Sequence, residues 1–191
     1  RHNGGVADPP RLMKPESLYG AAEVLGRPSV VPAESGTYAW YFDEVPAGVP
    51  IDGCHRLGEA WLLYVGISPK KPSSDGRQSR QSLRARLRYH YRGNAAGSTL
   101  RLTLGCLLSD DLGIRLQRVG TRDRLTFGTG ESTLSHWMAE HAKVTWVADP
   151  EPWILEDHLI ETISLPLNLQ GNAHHPFRSE LSAIRSVARA A

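Results

Sequence analysis

The sequence predicts a mixed α/β fold of the α+β kind: a small three-stranded antiparallel sheet flanked by helices, with a long middle segment at about 93–142. Alternation of period two marks strands at Thr37–Phe42 and Trp61–Ile67, and Lys143–Val147 is β-branched and aromatic enough for a third. Helical spacing of apolar residues marks Ser82–Arg92 and Trp153–Leu165. A chain of 191 residues, 40% hydrophobic and 22% charged, is long enough for one well-buried core and has no apolar run that could span a bilayer.

Residues 1–15, with Gly4-Gly5, Pro9-Pro10 and Pro15, read as a flexible arm, and Glu16–Leu25 as a short helix stopped by Gly26 and Pro28. On the first strand Tyr38, Trp40 and Phe42 share one face, and Thr37, Ala39 and Tyr41 the other. Proline and glycine residues between Asp43 and Glu59 make a long hairpin connection. The second strand is expected to place Leu62, Tyr64 and Gly66 together. A polar loop, Ser68–Ser79, leads to the helix Ser82–Arg92. Next come a buried helix at Thr99–Leu108, a hairpin of Ile114–Val119 with Arg124–Phe127, and a helix at Ser132–His141 carrying Leu134, Trp137 and Met138. Pro150 and Pro152 introduce the helix Trp153–Leu165, which Pro166 ends. Glu180–Ala191 is helical in composition, with Arg185 and Arg189 on a basic face. The expected organisation is an arm and short helix at 1–32, a central domain at 33–178, and a C-terminal helix at 179–191.

Net charge is only +2, but its distribution is uneven: Lys70, Lys71, Arg77, Arg80, Arg84, Arg86, Arg88 and Arg92 fall in one stretch opposed only by Asp75. Clustered cations of this kind bind a phosphate backbone by counterion release; alone they are equally a solvated helix face. Projection at about 100° per residue sorts them. Leu83, Leu87 and Tyr91 form the inward stripe. Arg86 and His90, one turn apart, line one edge of it, where a single phosphate could reach both. Arg84, Arg88 and Arg92 lie on the far side and suit non-specific contact with backbone phosphates.

The same projection puts Glu156 inside the apolar arc of Leu155, Leu159, Ile160 and Ile163, with Asp157 at its margin. A carboxylate there costs roughly several kcal/mol unless a cation compensates it, either in a structural salt bridge or as a metal or catalytic cation. Tyr38 and Tyr64 sit on neighbouring strands beside the cationic helix. A phenol titrates near pH 10 (roughly), so a base role needs positive charge from Arg86, His90 or a metal.

The ordered set Gly36-Thr37-Tyr38, Tyr64-Val65-Gly66, Arg86 with His90, Glu156 and Asn168 resembles the GIY-YIG nuclease superfamily. Leu155-Glu156-Asp157-His158-Leu159-Ile160 with Pro166-Leu167-Asn168 looks like the glutamate helix of its excinuclease and restriction-enzyme members. The whole chain, including Asn172-Ala173-His174-His175-Pro176, is similar to small stand-alone bacterial proteins of that superfamily. The resemblance runs from Gly36 to Asn168 with an enlarged middle, the part left for substrate selection.

It implies a metal-dependent endonuclease acting on nucleic acid, most readily DNA, with one divalent cation, Mg²⁺ or Mn²⁺, held by Glu156. Tyr38 would take the proton of the attacking water, with a relay through His90. Arg86 would neutralise the phosphoryl group, Tyr64 would orient water or phosphate, and Asn168 would pin local structure. Family members often carry lysine directly after the second tripeptide; here that residue is Ile67, leaving Lys70 and Lys71 as nearby cations. The departure keeps open an alternative, a catalytically weak nucleic-acid-binding module on the same scaffold. A third reading, an adaptor using Trp137 and Trp146 as an interface, competes with both tryptophans being core.

Gly128-Thr129-Gly130 lacks the lysine of a phosphate loop, His174-His175 lacks companion ligand spacing, and Cys54-His55 are mere neighbours. Two reduced cysteines, Cys54 and Cys106, fit a cytoplasmic protein without membrane partners. No secretory-signal pattern is present, although the chain begins at Arg1 rather than methionine.

Overall fold

The computed structural model of the protein describes residues 9–74, 76, 79–120 and 124–191; Gly4-Gly5, Asp75 and Arg77, named above, lie outside them. In chain order the elements are α1 (Pro9–Met13), α2 (Ala21–Leu25), β1 (Gly36–Phe42), β2 (Arg56–Leu57), β3 (Ala60–Ser68), α3 (Leu83–Arg92), α4 (Thr99–Leu107), α5 (Ser109–Leu112), β4 (Gln117–Val119), β5 (Arg124–Thr126), α6 (Gly130–His141), β6 (Ala142–Ala148), α7 (Pro152–Thr162) and α8 (Arg178–Ala190).

The main sheet is antiparallel in the order β2-β3-β1-β6, and β4 pairs with β5 in a separate hairpin. It has four strands rather than the expected three. The extra one is β2, two residues at the end of the long connection. Gly58 adopts φ +60°, which a two-residue turn tolerates best as glycine, and folds Arg56 back onto Trp61.

The alternation in β1 decides the layering. Tyr38, Trp40 and Phe42 join a core with Leu83, Leu87 and Tyr91 of α3, Leu100 and Leu104 of α4, Leu134 and Trp137 of α6, and Leu181 of α8. Ala39 and Tyr41 join a second core with Leu155, Leu159 and Ile160 of α7 and Leu12 of α1. At about 25 cal/mol per Å² of apolar area buried, both faces contribute to holding the sheet between helices.

Four local expectations need correction. Leu62 does not share a face with Tyr64. The ladder shifts register between Trp40 and Tyr41, so Trp40 opposes Tyr64 while Tyr41 opposes Leu62. Leu63 and Tyr64 then both enter the first core and Leu62 the second, as a one-residue bulge requires. Residues 9–15 are not a loose arm: Leu12 is fully buried, the Tyr41 hydroxyl donates to its carbonyl at 2.8 Å, and His55 Nε2 donates to the Met13 carbonyl at 2.7 Å.

The helix expected at Glu16–Leu25 begins only at Ala21, because Tyr19 is engaged elsewhere. It exchanges two backbone hydrogen bonds with Val144, each 2.9 Å, and stacks on Trp146 at 4.6 Å. Finally, α7 stops at Thr162. Ile163 is already extended, so it caps the helix instead of continuing its apolar stripe. Trp137 is buried, in keeping with a core role. No helix among the described residues is long and apolar enough to cross a membrane.

Candidate active site

A cavity of about 420 Å³ opens at the edge of the sheet where β3, α3, α7 and the start of α4 meet. It brings together seven expected residues: Tyr38, Tyr64, Arg86, Glu156, Asn168, Lys70 and Lys71. Each position follows from local folding. Tyr38 is paired directly with Gly66 across the β1–β3 ladder, and a methyl group placed at Gly66 would sit 2.6 Å from the Tyr38 oxygen. Glycine in the second tripeptide is therefore what lets the phenol of the first lie across the strand. Arg86 is presented by α3, whose N-terminus is capped by Ser82 accepting from the Ala85 N–H at 3.3 Å. Glu156 is presented by α7, which Thr37 ties to the sheet through its hydroxyl donating to the Pro152 carbonyl at 3.1 Å.

The cavity is built around the Tyr38 oxygen. Arg86 Nε donates to it at 3.4 Å while an Arg86 terminal nitrogen donates to the Gly97 carbonyl at 2.8 Å. His90 Nε2 lies 2.8 Å away on the inner side, and His90 Nδ1 lies 2.8 Å from Ser98 Oγ. His90 is fully buried and does not line the cavity. The expectation that one phosphate could touch both Arg86 and His90 is thus corrected: Tyr38 stands between the histidine and the open space.

Proton accounting orients this chain. Ser98 Oγ accepts the Arg101 N–H at 3.1 Å, and the tautomer of His90 that leaves no buried proton unpaired has the Ser98 proton on its one acceptor among the described residues, His90 Nδ1. Burial, then Arg86 and Arg101, hold the His90 pKa well below its ordinary value, so the ring is neutral. Its other nitrogen must then carry the remaining proton and donate to Tyr38. With Arg86 the phenol oxygen accepts twice, and its own proton faces the cavity. His90 in this arrangement supplies a hydrogen bond rather than a positive charge or a vacant acceptor.

Burial raises the Tyr38 pKa; the charge and hydrogen bond of Arg86 pull it down, and Glu156 adds a further rise. Burial wins, so Arg86 alone does not make a phenolate at neutral pH. Tyr64 is also raised, chiefly by burial, and its hydroxyl makes no hydrogen bond among the described residues. Glu156 is pushed up to about 7 by burial and by Asp157, with Lys70 pulling the other way. It makes no ion pair among the described residues, so the structural salt bridge weighed from the sequence is not formed there. Asn168 mimics a strand: its amide nitrogen donates to the Val65 carbonyl and its amide oxygen accepts the Val65 N–H, both at 2.9 Å.

The remaining candidates fall elsewhere. Arg84 Nε donates to the Val31 carbonyl at 2.8 Å and Arg88 to the Gly26 carbonyl at 3.5 Å, tying the loop before β1 to the back of α3. Arg92 is exposed at the end of that helix. Ile67, where family members often have lysine, lines the cavity together with Lys70 and Lys71. Ser98 went unread in the sequence. A serine before an apolar run signals a helix N-cap, and α4 does begin there, but its reach to His90 is tertiary.

Two tyrosine-bearing strands, a cationic helix and a carboxylate helix thus meet around one cavity. The family model described as the GIY-YIG catalytic domain matches residues 36–187, and the chain belongs to that family, whose function is of the nuclease type. No curated protein and no solved structure matches the chain.

Proposed function

We propose that the protein is a metal-dependent endonuclease that hydrolyses DNA phosphodiester bonds with Tyr38 as general base. One observation carries this reading: the Tyr38 oxygen sits where Arg86 and His90 converge, in the same cavity as Glu156. Two donors aimed at one phenol oxygen stabilise the phenolate left when its cavity-facing proton passes to solvent, and that phenolate then takes the proton of the attacking water.

The fit of a divalent cation is judged from Glu156. A partly buried carboxylate without an ion pair among the described residues, beside open space, suits a Mg²⁺ or Mn²⁺ ion that keeps several waters. No cluster of three or more acidic, histidine or cysteine ligands exists among the described residues, so Glu156 would be the protein's main contribution. When bound, the cation supplies charge that polarises the scissile phosphate and cancels the effect of Glu156 on Tyr38.

The chain's own groups do the rest. Arg86 neutralises charge on the transferred phosphoryl group, and Tyr64 orients water or phosphate. His90 holds the base in place. Lys70 and Lys71 attract the backbone in place of a lysine at position 67, and Arg84, Arg88 and Arg92 contribute at longer range. Free Cys54 and Cys106 fit a reducing cytoplasm.

Plasmid nicking with Mg²⁺ or Mn²⁺ tests the reading. Native protein should nick, and Glu156→Gln and Arg86→Ala should each lose about 10²–10³-fold in turnover while still binding DNA. Binding by the native protein with no metal-dependent cleavage across duplex, single-stranded and branched DNA would instead establish the non-catalytic module.

A further inference from the structure

Next to the cleavage cavity lies a second one of about 570 Å³ that shares Lys70, Arg86 and Thr99 with it and is lined further by Arg124, Arg185 and Arg189. Among the described residues no carboxylate lines it. The five cations come from four places in the chain: the loop after β3, α3, the β4–β5 hairpin and α8. A solvated helix face would draw them from one element.

Arg185 distinguishes this cavity from a merely basic surface. Its residue is 9% exposed, and its Nε is buried with no hydrogen-bond partner. Among the described residues it makes neither a hydrogen bond nor an ion pair. Its terminal nitrogens are not sealed from solvent as Nε is, and a guanidinium this deeply set without a protein partner is unfavourable and is ordinarily compensated by an anion. Burial first, then the like charge of Arg189, push its pKa below the ordinary value, as expected for a cation whose counter-charge comes from outside. Arg185 and Tyr64 each influence the other's ionisation, so this cation adjoins the cleavage machinery.

We propose that the cavity headed by Arg185 is a phosphate-binding subsite, seating a backbone phosphate of the DNA strand next to the one being cut. The site itself follows from the unpartnered guanidinium; that its phosphate belongs to DNA rests on the nuclease reading above. The guanidinium fork matches two non-bridging oxygens of a phosphodiester. Exposed Arg189 and Arg124 add charge at the mouth, and Arg86, common to both cavities, links the subsite to the scissile position.

The test uses the full chain and two probes. Inorganic phosphate, compared with chloride at equal ionic strength, should raise the melting temperature of the native protein and leave that of Arg185→Met unmoved. Without phosphate, Arg185→Met should melt at or above the native temperature, because it removes an uncompensated charge. For a DNA duplex bound in the Glu156→Gln background, adding Arg185→Met should lower the slope of log affinity against log salt by about 1. With Glu156 intact, Arg185→Met should lower cleavage efficiency about 10-fold, the loss carried by KM.

Phosphate protection and salt slope that survive in Arg185→Met overturn the subsite even if the native protein nicks plasmid. A native protein that never nicks, yet shows phosphate protection lost in Arg185→Met, overturns the nuclease reading and leaves the subsite standing. Should Arg185→Met not fold, exposed Arg189→Gln and Arg124→Gln are measured the same way; unchanged slopes in both overturn the proposal.

Discussion

Two buried arginines in this molecule meet opposite fates. Arg101, fully buried in α4, bonds in every direction: its Nε and a terminal nitrogen reach Glu131 Oε2 at 3.2 and 2.7 Å. It also donates to the carbonyls of His90 and Tyr91, both at 3.1 Å, to Ser135 Oγ at 3.0 Å, and to the Glu131 carbonyl at 2.7 Å. Arg185, in α8 on the other flank of α4, has none of this. The first guanidinium fastens the end of α3 to α4 and α6, directly behind His90. The second faces a cavity. The same residue type is a rivet where the protein supplies the anion and a receptor where it does not.

The contrast can be broken most directly by truncating the rivet. Arg101→Met should cost about 3–5 kcal/mol in urea unfolding, since it strands Glu131 Oε2 and takes a donor from three carbonyls, whereas Arg185→Met should cost nothing. Equal losses would erase the distinction.

Glu156 sharpens it from the acidic side, as a second charge lacking an ion-pair partner among the described residues. Its folded pKa of about 7 lies above the ordinary 4.5, so the neutral form favours folding, and that contribution fades as pH rises between those values. Glu156→Gln should therefore gain stability relative to the native chain from pH 5 to pH 8, and Mn²⁺ should close the gap. A gap that stays flat with pH would mean the carboxylate is compensated after all. The comparison between variants matters because neutral His90 gives the native chain an opposite slope below its ordinary pKa.

A smaller effect is expected at Ser98. Ser98→Ala removes the α4 cap for about 1 kcal/mol and frees the His90 tautomer, so cleavage should slow about 10-fold and Ser98→Thr should restore it. A capping role alone would show the stability loss with turnover intact. Least of all, Arg84→Ala should cost about 0.5–1 kcal/mol by releasing the Val31 carbonyl, with a modest loss of salt-dependent affinity. Complete loss of cleavage with normal binding there would contradict the sorting of the arginines.

Much of this was legible in the chain because it depends on short periods. Alternation assigned the two faces of β1, and helical projection separated Arg86 from Arg84 and Arg88. A misplaced carboxylate in an apolar arc pointed to Glu156, and the same logic applied to Arg101, among Leu100, Leu102 and Leu104, would have exposed the rivet. What escaped depends on tertiary events. The register shift opposite Trp40 is invisible to a period-two reading, and the bridge from Tyr19 to Val144 overrides local helical preference. The burial of His90 behind Tyr38 is set by which way α3 leans on the sheet. Arg185 read as one of two surface cations because only packing against α4 removes it from water.

Asn168 has a consequence that bears on how any mutational survey is interpreted. Beyond its short pairing with β2, strand β3 is the sheet's outer rim, and the Leu167 N–H and Asn168 side chain occupy its backbone groups at Leu63 and Val65. Stripping that amide would bare the rim to strands of other molecules. An Asn168→Ala protein that fails to cut DNA could thus be a clumped protein, and only its sedimentation profile would say whether chemistry was lost.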